Sequence, residues 1–246
     1  MHNDDRPIGR VLTRREAVAL LGVSGFAIVT GCGRVKGGSG EGAAAASLPG
    51  CVVRPAQTEG PYFVDELLNR SDIRSDPTSG IVKPGTPLQL TMNVSRIAGT
   101  ECTPLAGARV DVWHCDASGV YSDVTDPRFN TVGQKFLRGY QVTDAAGAAR
   151  FLTVYPGWYE GRTVHIHFKV RTDPGAGQGH EFTSQLYFDD ALSQAVFAKA
   201  PYAARGQRTA RNSDDGIFRN GGAQLLLAPE PSGDGYSGSF GIGLNY

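Results

Sequence analysis

Net charge is absent from this chain: 24 Lys and Arg stand against 24 Asp and Glu, and the cations form no run. Binding to a phosphate backbone needs clustered cations, so the composition argues against nucleic acid as a partner. Long apolar runs are scarce as well. The one present, residues 17–30, has the length of a signal h-region and falls short of the roughly 20 residues that cross a bilayer. Nor does the chain have the makeup of a helical bundle, because 33 Gly and 14 Pro supply more turn and loop than a bundle carries. With 40% hydrophobic and 20% charged residues it stays inside the globular range. What remains is an all-β expectation.

The N-terminus reads as an address. Arg14 and Arg15 precede the apolar run, and Val29-Thr30-Gly31-Cys32 has the form of a lipobox, whose cysteine is lipidated after cleavage. Residues 1–32 are therefore expected to be a Tat-type lipoprotein signal. The protein would then be exported across a bacterial cytoplasmic membrane and held at the cell envelope by lipid on Cys32, its only membrane contact. Residues 33–50 are nearly all Gly, Ala and Ser, a composition that cannot bury a core and gives a flexible tether about 20–25 Å in span. Three cysteines follow, Cys51, Cys102 and Cys115, in a compartment that permits disulfides. An odd count leaves one unpaired, and Cys102 with Cys115 is the expected pair.

Residues 51–246 fit a single domain. Period-two alternation marks half-buried strands: Leu88, Leu90, Met92 and Val94; Val110 and Val112; Val164, Ile166, Phe168 and Val170. Further strands are expected over 223–228 and 240–244. One short helix is expected over 191–199, capped by Asp190 and ended by Pro201.

On the strand through residue 166, His165 and His167 are two apart and project from one face, a spacing that lets two imidazoles meet one ion. Upstream stand the aromatics Tyr155, Trp158 and Tyr159, and Tyr121 follows the strand that contains Trp113. A phenol binds metal as phenolate, and ionising it at neutral pH costs about 4 kcal/mol, so two tyrosines with two histidines select an ion as acidic as ferric iron. His114 and His180 are expected to be structural or surface residues, and Cys115 beside His114 makes no metal pair with it, because adjacent strand residues point to opposite faces.

Several strings carry a resemblance: Gln57-Thr58-Glu59-Gly60-Pro61-Tyr62, GARVDVWHCDASGVY over 107–121, Thr143-Asp144, TVYPGWYEGRTVHIHF over 153–168, and Ser184-Gln185-Leu186-Tyr187-Phe188. In order and spacing they are similar to the intradiol ring-cleavage dioxygenases, the group that contains catechol and protocatechuate dioxygenases. The resemblance implies a β-sandwich with long loops, and a mononuclear non-haem Fe(III) held by Tyr121, Tyr159, His165 and His167. It implies that Tyr159 leaves the metal when substrate binds, that Arg162 and Gln185 join the catalytic machinery, and that Gly60, Pro61, Trp113 and Arg162 border the substrate. The implied reaction uses O2 to cleave a catechol-type aromatic diol between its two hydroxyl-bearing carbons, giving a muconate-type diacid. Arg162 lies three residues before His165, so the chain must bend near Gly161 for Arg162 to reach that face. Thr163 and Trp158 depart from the better-known members and leave substrate and oligomer assembly open. Two other readings fit parts of the pattern: a Zn or Cu enzyme built on His165 and His167, or a non-catalytic, lipid-tethered binding module.

Overall fold

The computed structural model describes residues 51–172 and 179–245. The signal, Cys32 and the tether lie outside the described residues. In chain order the strands are β1 (Pro87–Ala98), β2 (Glu101–Pro104), β3 (Arg109–Trp113), β4 (Thr125–Asp126), β5 (Phe129–Asn130), β6 (Arg138–Val142), β7 (Ala148–Val154), β8 (His165–Arg171), β9 (Glu181–Phe188), β10 (Leu226–Leu227), β11 (Glu230–Ser232) and β12 (Gly235–Asn245). One sheet runs β11-β12-β1-β2, with β7 also paired to β1, and the second runs β10-β9-β8-β3-β6. In the first sheet β1 is the spine. Along one edge it meets β7 through residues 87–93 and then β2 through residues 95–98, while β12 lies parallel on the other edge.

The alternation in the sequence determines how these sheets stack. Leu88, Leu90, Met92 and Val94 of β1, with Phe240, Ile242 and Leu244 of β12, are buried in one cluster with Val110, Val112, Ile166, Phe168 and Val170 of the second sheet. Phe168 meets Phe240 at 6.1 Å between ring centres. Two sheets whose inner faces share one apolar layer form a β-sandwich. Each of these side chains adds roughly 1.5–3 kcal/mol when removed from water, which is why the register cannot slip by one residue.

Several local expectations need correction. The disulfide joins Cys51 to Cys102, with Cα atoms 5.8 Å apart, and Cys115 is free and buried. Cys102 sits on β2 at an edge of the first sheet and Cys51 lies just before Val53, which bridges Gly243 of β12 in the same sheet, whereas Cys115 follows β3 of the other sheet and is buried there. Proximity in sequence does not survive that change of sheet. The helix spans α1 (Asp190–Phe197), and its cap is Asp189, whose carboxylate accepts from the Ala191 and Leu192 amides. Asp190 lies in the first turn and pairs with Arg208. A one-turn helix, α2 (Gly216–Arg219), is added and is capped by Asp215. Residues 222–225 form a 3-10 turn before the two-residue β10, and β8 begins at His165 rather than Val164.

Candidate active site

The outer face of the second sheet carries the chemistry. His165 and His167 project from it along β8, beside Trp113 of β3 and Gln185 and Tyr187 of β9, which are their register partners. This face is dry: His165 and His167 are 2% and 1% exposed. The chain covering it includes Tyr62, whose ring stacks on Tyr121 at 4.4 Å and meets Tyr159 edge-on at 6.2 Å. Tyr62, Trp113, Cys115, Tyr121 and Tyr159 form a buried cluster of their own.

Four donor atoms converge there. His165 Nε2 lies 3.1 Å from His167 Nε2, 3.2 Å from Tyr159 Oη and 3.4 Å from Tyr121 Oη. His165 Nδ1 donates to the Thr163 carbonyl at 2.7 Å, which leaves Nε2 with its lone pair toward the other donors. His167 is stacked flat against Trp113, with centroids 5.0 Å apart and planes 7° apart, and among the described residues its buried Nδ1 has no hydrogen-bond partner. Burial is the main cause that holds both imidazoles well below their ordinary pKa, and the Arg162 charge adds to it. Both rings are therefore neutral, the state in which imidazole binds metal. Burial likewise pushes the Tyr121 phenol well above its ordinary value, with Tyr159 adding to the rise.

This donor set fits a strongly acidic cation. Lone pairs crowd one point, and a phenol held as far from ionisation as that of Tyr121 releases its proton only beside an ion of high charge. Among the described residues no three of His, Cys, Asp and Glu assemble as a metal cluster, so a centre here has to include phenol oxygens.

Arg162 reaches the site because the chain turns at Gly161, whose φ of +83° lies in the left-handed region open to glycine. Its Nε donates to Asp215 Oδ2 at 2.9 Å and its Nη2 to Gln185 Oε1 at 2.6 Å. Burial opposes its charge, but Tyr159 and Asp215 outweigh that, and the guanidinium stays protonated. Gln185, fully buried, also accepts from Tyr187 Oη and donates to the Thr58 carbonyl. Gly60, at φ +71°, leads into a turn at Pro61 and Tyr62. The residue that enters the site is Tyr62, tied by its hydroxyl to Asp126 at 2.7 Å. His114 is structural, as expected: Nδ1 donates to the Cys115 carbonyl and Nε2 accepts from the Thr153 hydroxyl.

Sequence reasoning missed three members. Tyr62 stood in the quoted string next to Gly60-Pro61 but was given no part. Tyr187, which donates to Gln57 and Gln185, looked like an ordinary strand aromatic. Asp215 carried only the signal of a helix cap, yet it also accepts from Arg162 and the Thr163 amide.

A family model described as "Dioxygenase" matches residues 58–216. The chain is 34% identical over 152 residues to the protocatechuate 3,4-dioxygenase beta chain of Burkholderia cepacia, covering 57% of this chain and 63% of that one. It is 33% identical over 165 residues to a catechol 1,2-dioxygenase of Candida albicans, covering 51% of each. The chain thus spans between half and two thirds of these relatives. Among solved structures, an intradiol ring-cleavage dioxygenase from Tetranychus urticae superposes with a TM-score of 0.69 at 33% identity, covering 79% of this chain and 95% of that one. The matched span contains both tyrosines, both histidines, Arg162 and Gln185, and this chain belongs to the intradiol ring-cleavage dioxygenase family.

Proposed function

We propose that the protein cleaves a catechol-type aromatic diol with O2 between the two hydroxyl-bearing carbons, yielding a muconate-type diacid. Tyr121, Tyr159, His165 and His167 would hold Fe(III). One observation carries the reading: both phenol oxygens and His167 Nε2 lie 3.1–3.4 Å from His165 Nε2 in a buried cluster. When bound, Fe(III) supplies the Lewis acidity that ionises the phenols and draws electron density from a chelated diol.

The residues divide the remaining work. Tyr159 Oη, as phenolate, is a base within the site that accepts a proton from a diol hydroxyl. Arg162, held protonated by Asp215 and oriented by Gln185, offers a fixed positive charge to the negative charge that develops on the ring. Trp113 backs the His167 ring and holds it in place, and Tyr62, packed on Tyr121 and edge-on to Tyr159, borders the site. Because these groups are buried, bulk water is kept from the reacting carbons.

The test is oxygen uptake by iron-loaded protein over a panel of catechols, with mass determination of the product. The expected result is uptake of one O2 per diol and a ring-opened diacid carrying both oxygen atoms. An aldehyde product, or no uptake from any diol, would overturn the proposal. The N-terminal motif supports a further part of the reading, export and lipid anchoring through Cys32. A Cys32→Ser chain is expected to leave the membrane fraction, and equal retention of both forms would count against an anchor.

A further inference from the structure

Arg138 is a buried cation to which the proposed chemistry gives no part. It is 2% exposed, and among the described residues it joins no ion pair: the neighbouring carboxylate Glu66 is taken by Lys135. Its guanidinium instead binds neutral oxygens. Nε donates to Ser122 Oγ at 2.7 Å, Nη2 donates to the Ser122 carbonyl, and Nη1 and Nη2 share the Tyr62 carbonyl at 3.3 Å. Burial lowers its pKa to about 10, and Glu66, Asp123 and Tyr121 favour its charge from further away. A desolvated guanidinium bound only to neutral acceptors is costly, so its retention calls for a reason.

The acceptors supply one. Ser122 follows Tyr121 in the chain, and Tyr62 is the ring stacked on Tyr121. Neither Tyr121 nor Tyr62 belongs to a strand, so no ladder of backbone bonds fixes either. The Tyr121 carbonyl takes one further tie, from the Thr131 hydroxyl at 2.6 Å. Arg138 is itself anchored at the first residue of β6, opposite Trp113, and follows Leu137 at φ +53°, a conformation leucine seldom adopts. One rigid fork therefore joins β6, beside Trp113, to the loop that carries Tyr121 and to the loop that stacks Tyr62 on it.

We propose that Arg138 is a positioning residue for the centre: through Ser122 and Tyr62 it fixes the orientation in which Tyr121 Oη meets a metal ion. The inference rests on the ferric reading above. It is tested with Arg138→Lys, which keeps the charge but not the three-point fork, and Arg138→Met, which loses both. Each protein is iron-loaded and compared with the wild type in its visible phenolate-to-iron band, iron retention, kcat, KM and melting temperature. The expected result is a displaced or weakened band in both variants and a fall in kcat of about tenfold for Arg138→Lys and about 100-fold for Arg138→Met, the scale of a misplacement near 1 Å. If Arg138→Met does not fold, the band and kcat of Arg138→Lys decide alone. An unchanged band and kcat with a lower melting temperature would make Arg138 a packing residue and overturn the inference, leaving the ferric reading intact. An iron-loaded wild type without the band would overturn both.

Discussion

Asp215 shows how one carboxylate serves two structures. Oδ1 accepts from the Ile217 and Phe218 amides and starts α2, while Oδ2 accepts from Arg162 Nε and the Thr163 amide. Thr163 in turn accepts from His165 Nδ1, so a single side chain orients both the guanidinium and an imidazole. Asp215→Asn keeps an oxygen for the helix cap but places an amide nitrogen where Arg162 and Thr163 need an acceptor. The expected outcome is a loss of about 10–100-fold in kcat with most of the iron retained, checked by pairing turnover with metal analysis. Arg162→Leu should behave more sharply in the same direction, losing on the order of 100-fold in turnover with little change in iron content. If iron and turnover fell in parallel in that variant, Arg162 would belong to metal retention instead. The histidine pair was legible in its spacing, and Tyr121 and Tyr159 through the resemblance to the family rather than through any spacing of their own. Asp215 was not, since a helix cap and an arginine partner leave the same single letter.

At the level of elements, alternation was readable and enclosure was not. The pattern Val164, Ile166, Phe168, Val170 located β8 and its inner face, but it left the histidine face looking solvated. That face is covered by a segment far away in sequence: Glu59 pairs with Lys169, Asp65 with both Arg109 and Arg171, and Phe63 lies under the Lys169 ammonium at 4.2 Å. Non-local cover of this kind has no periodicity to read. The same blindness misassigned the disulfide. Cys51 closes a loop of 51 residues onto β2 and ties the start of the described chain to the edge of the first sheet. Removing it by paired Cys51→Ser and Cys102→Ser changes should cost about 2–4 kcal/mol in denaturant unfolding, because the unfolded chain regains that loop's freedom. Equal midpoints with and without the bridge would show that the edge is held by its ladder alone.

For the whole molecule, the sandwich buries imidazoles that the unfolded chain exposes, and this couples stability to pH. His114 illustrates the sign. Burial depresses its pKa from 6.5 to about 4, against the smaller favourable effects of the Cys115 carbonyl and Asp116. Below 6.5 the unfolded chain takes up a proton that the folded chain refuses until about pH 4, so the unfolded state binds more protons across that window. Stability contributed by this group is therefore complete above 6.5 and drains away as pH falls toward 4, with a ceiling on the order of 3 kcal/mol. His165 and His167 are shifted the same way in the metal-free protein and deepen the loss. Asp65 acts in a lower range: Arg171 and Arg109 outweigh its burial and hold it at about 2, so its contribution is lost only in stronger acid. His114→Gln removes the titrating ring while an amide can still donate to Cys115 and accept from Thr153. Measured by denaturant unfolding of metal-free protein from pH 7 down to 4, the variant should show a shallower fall in stability than the wild type. Parallel curves would mean that His114 is protonated as readily inside the sandwich as outside it, against the burial that defines its place between the two sheets.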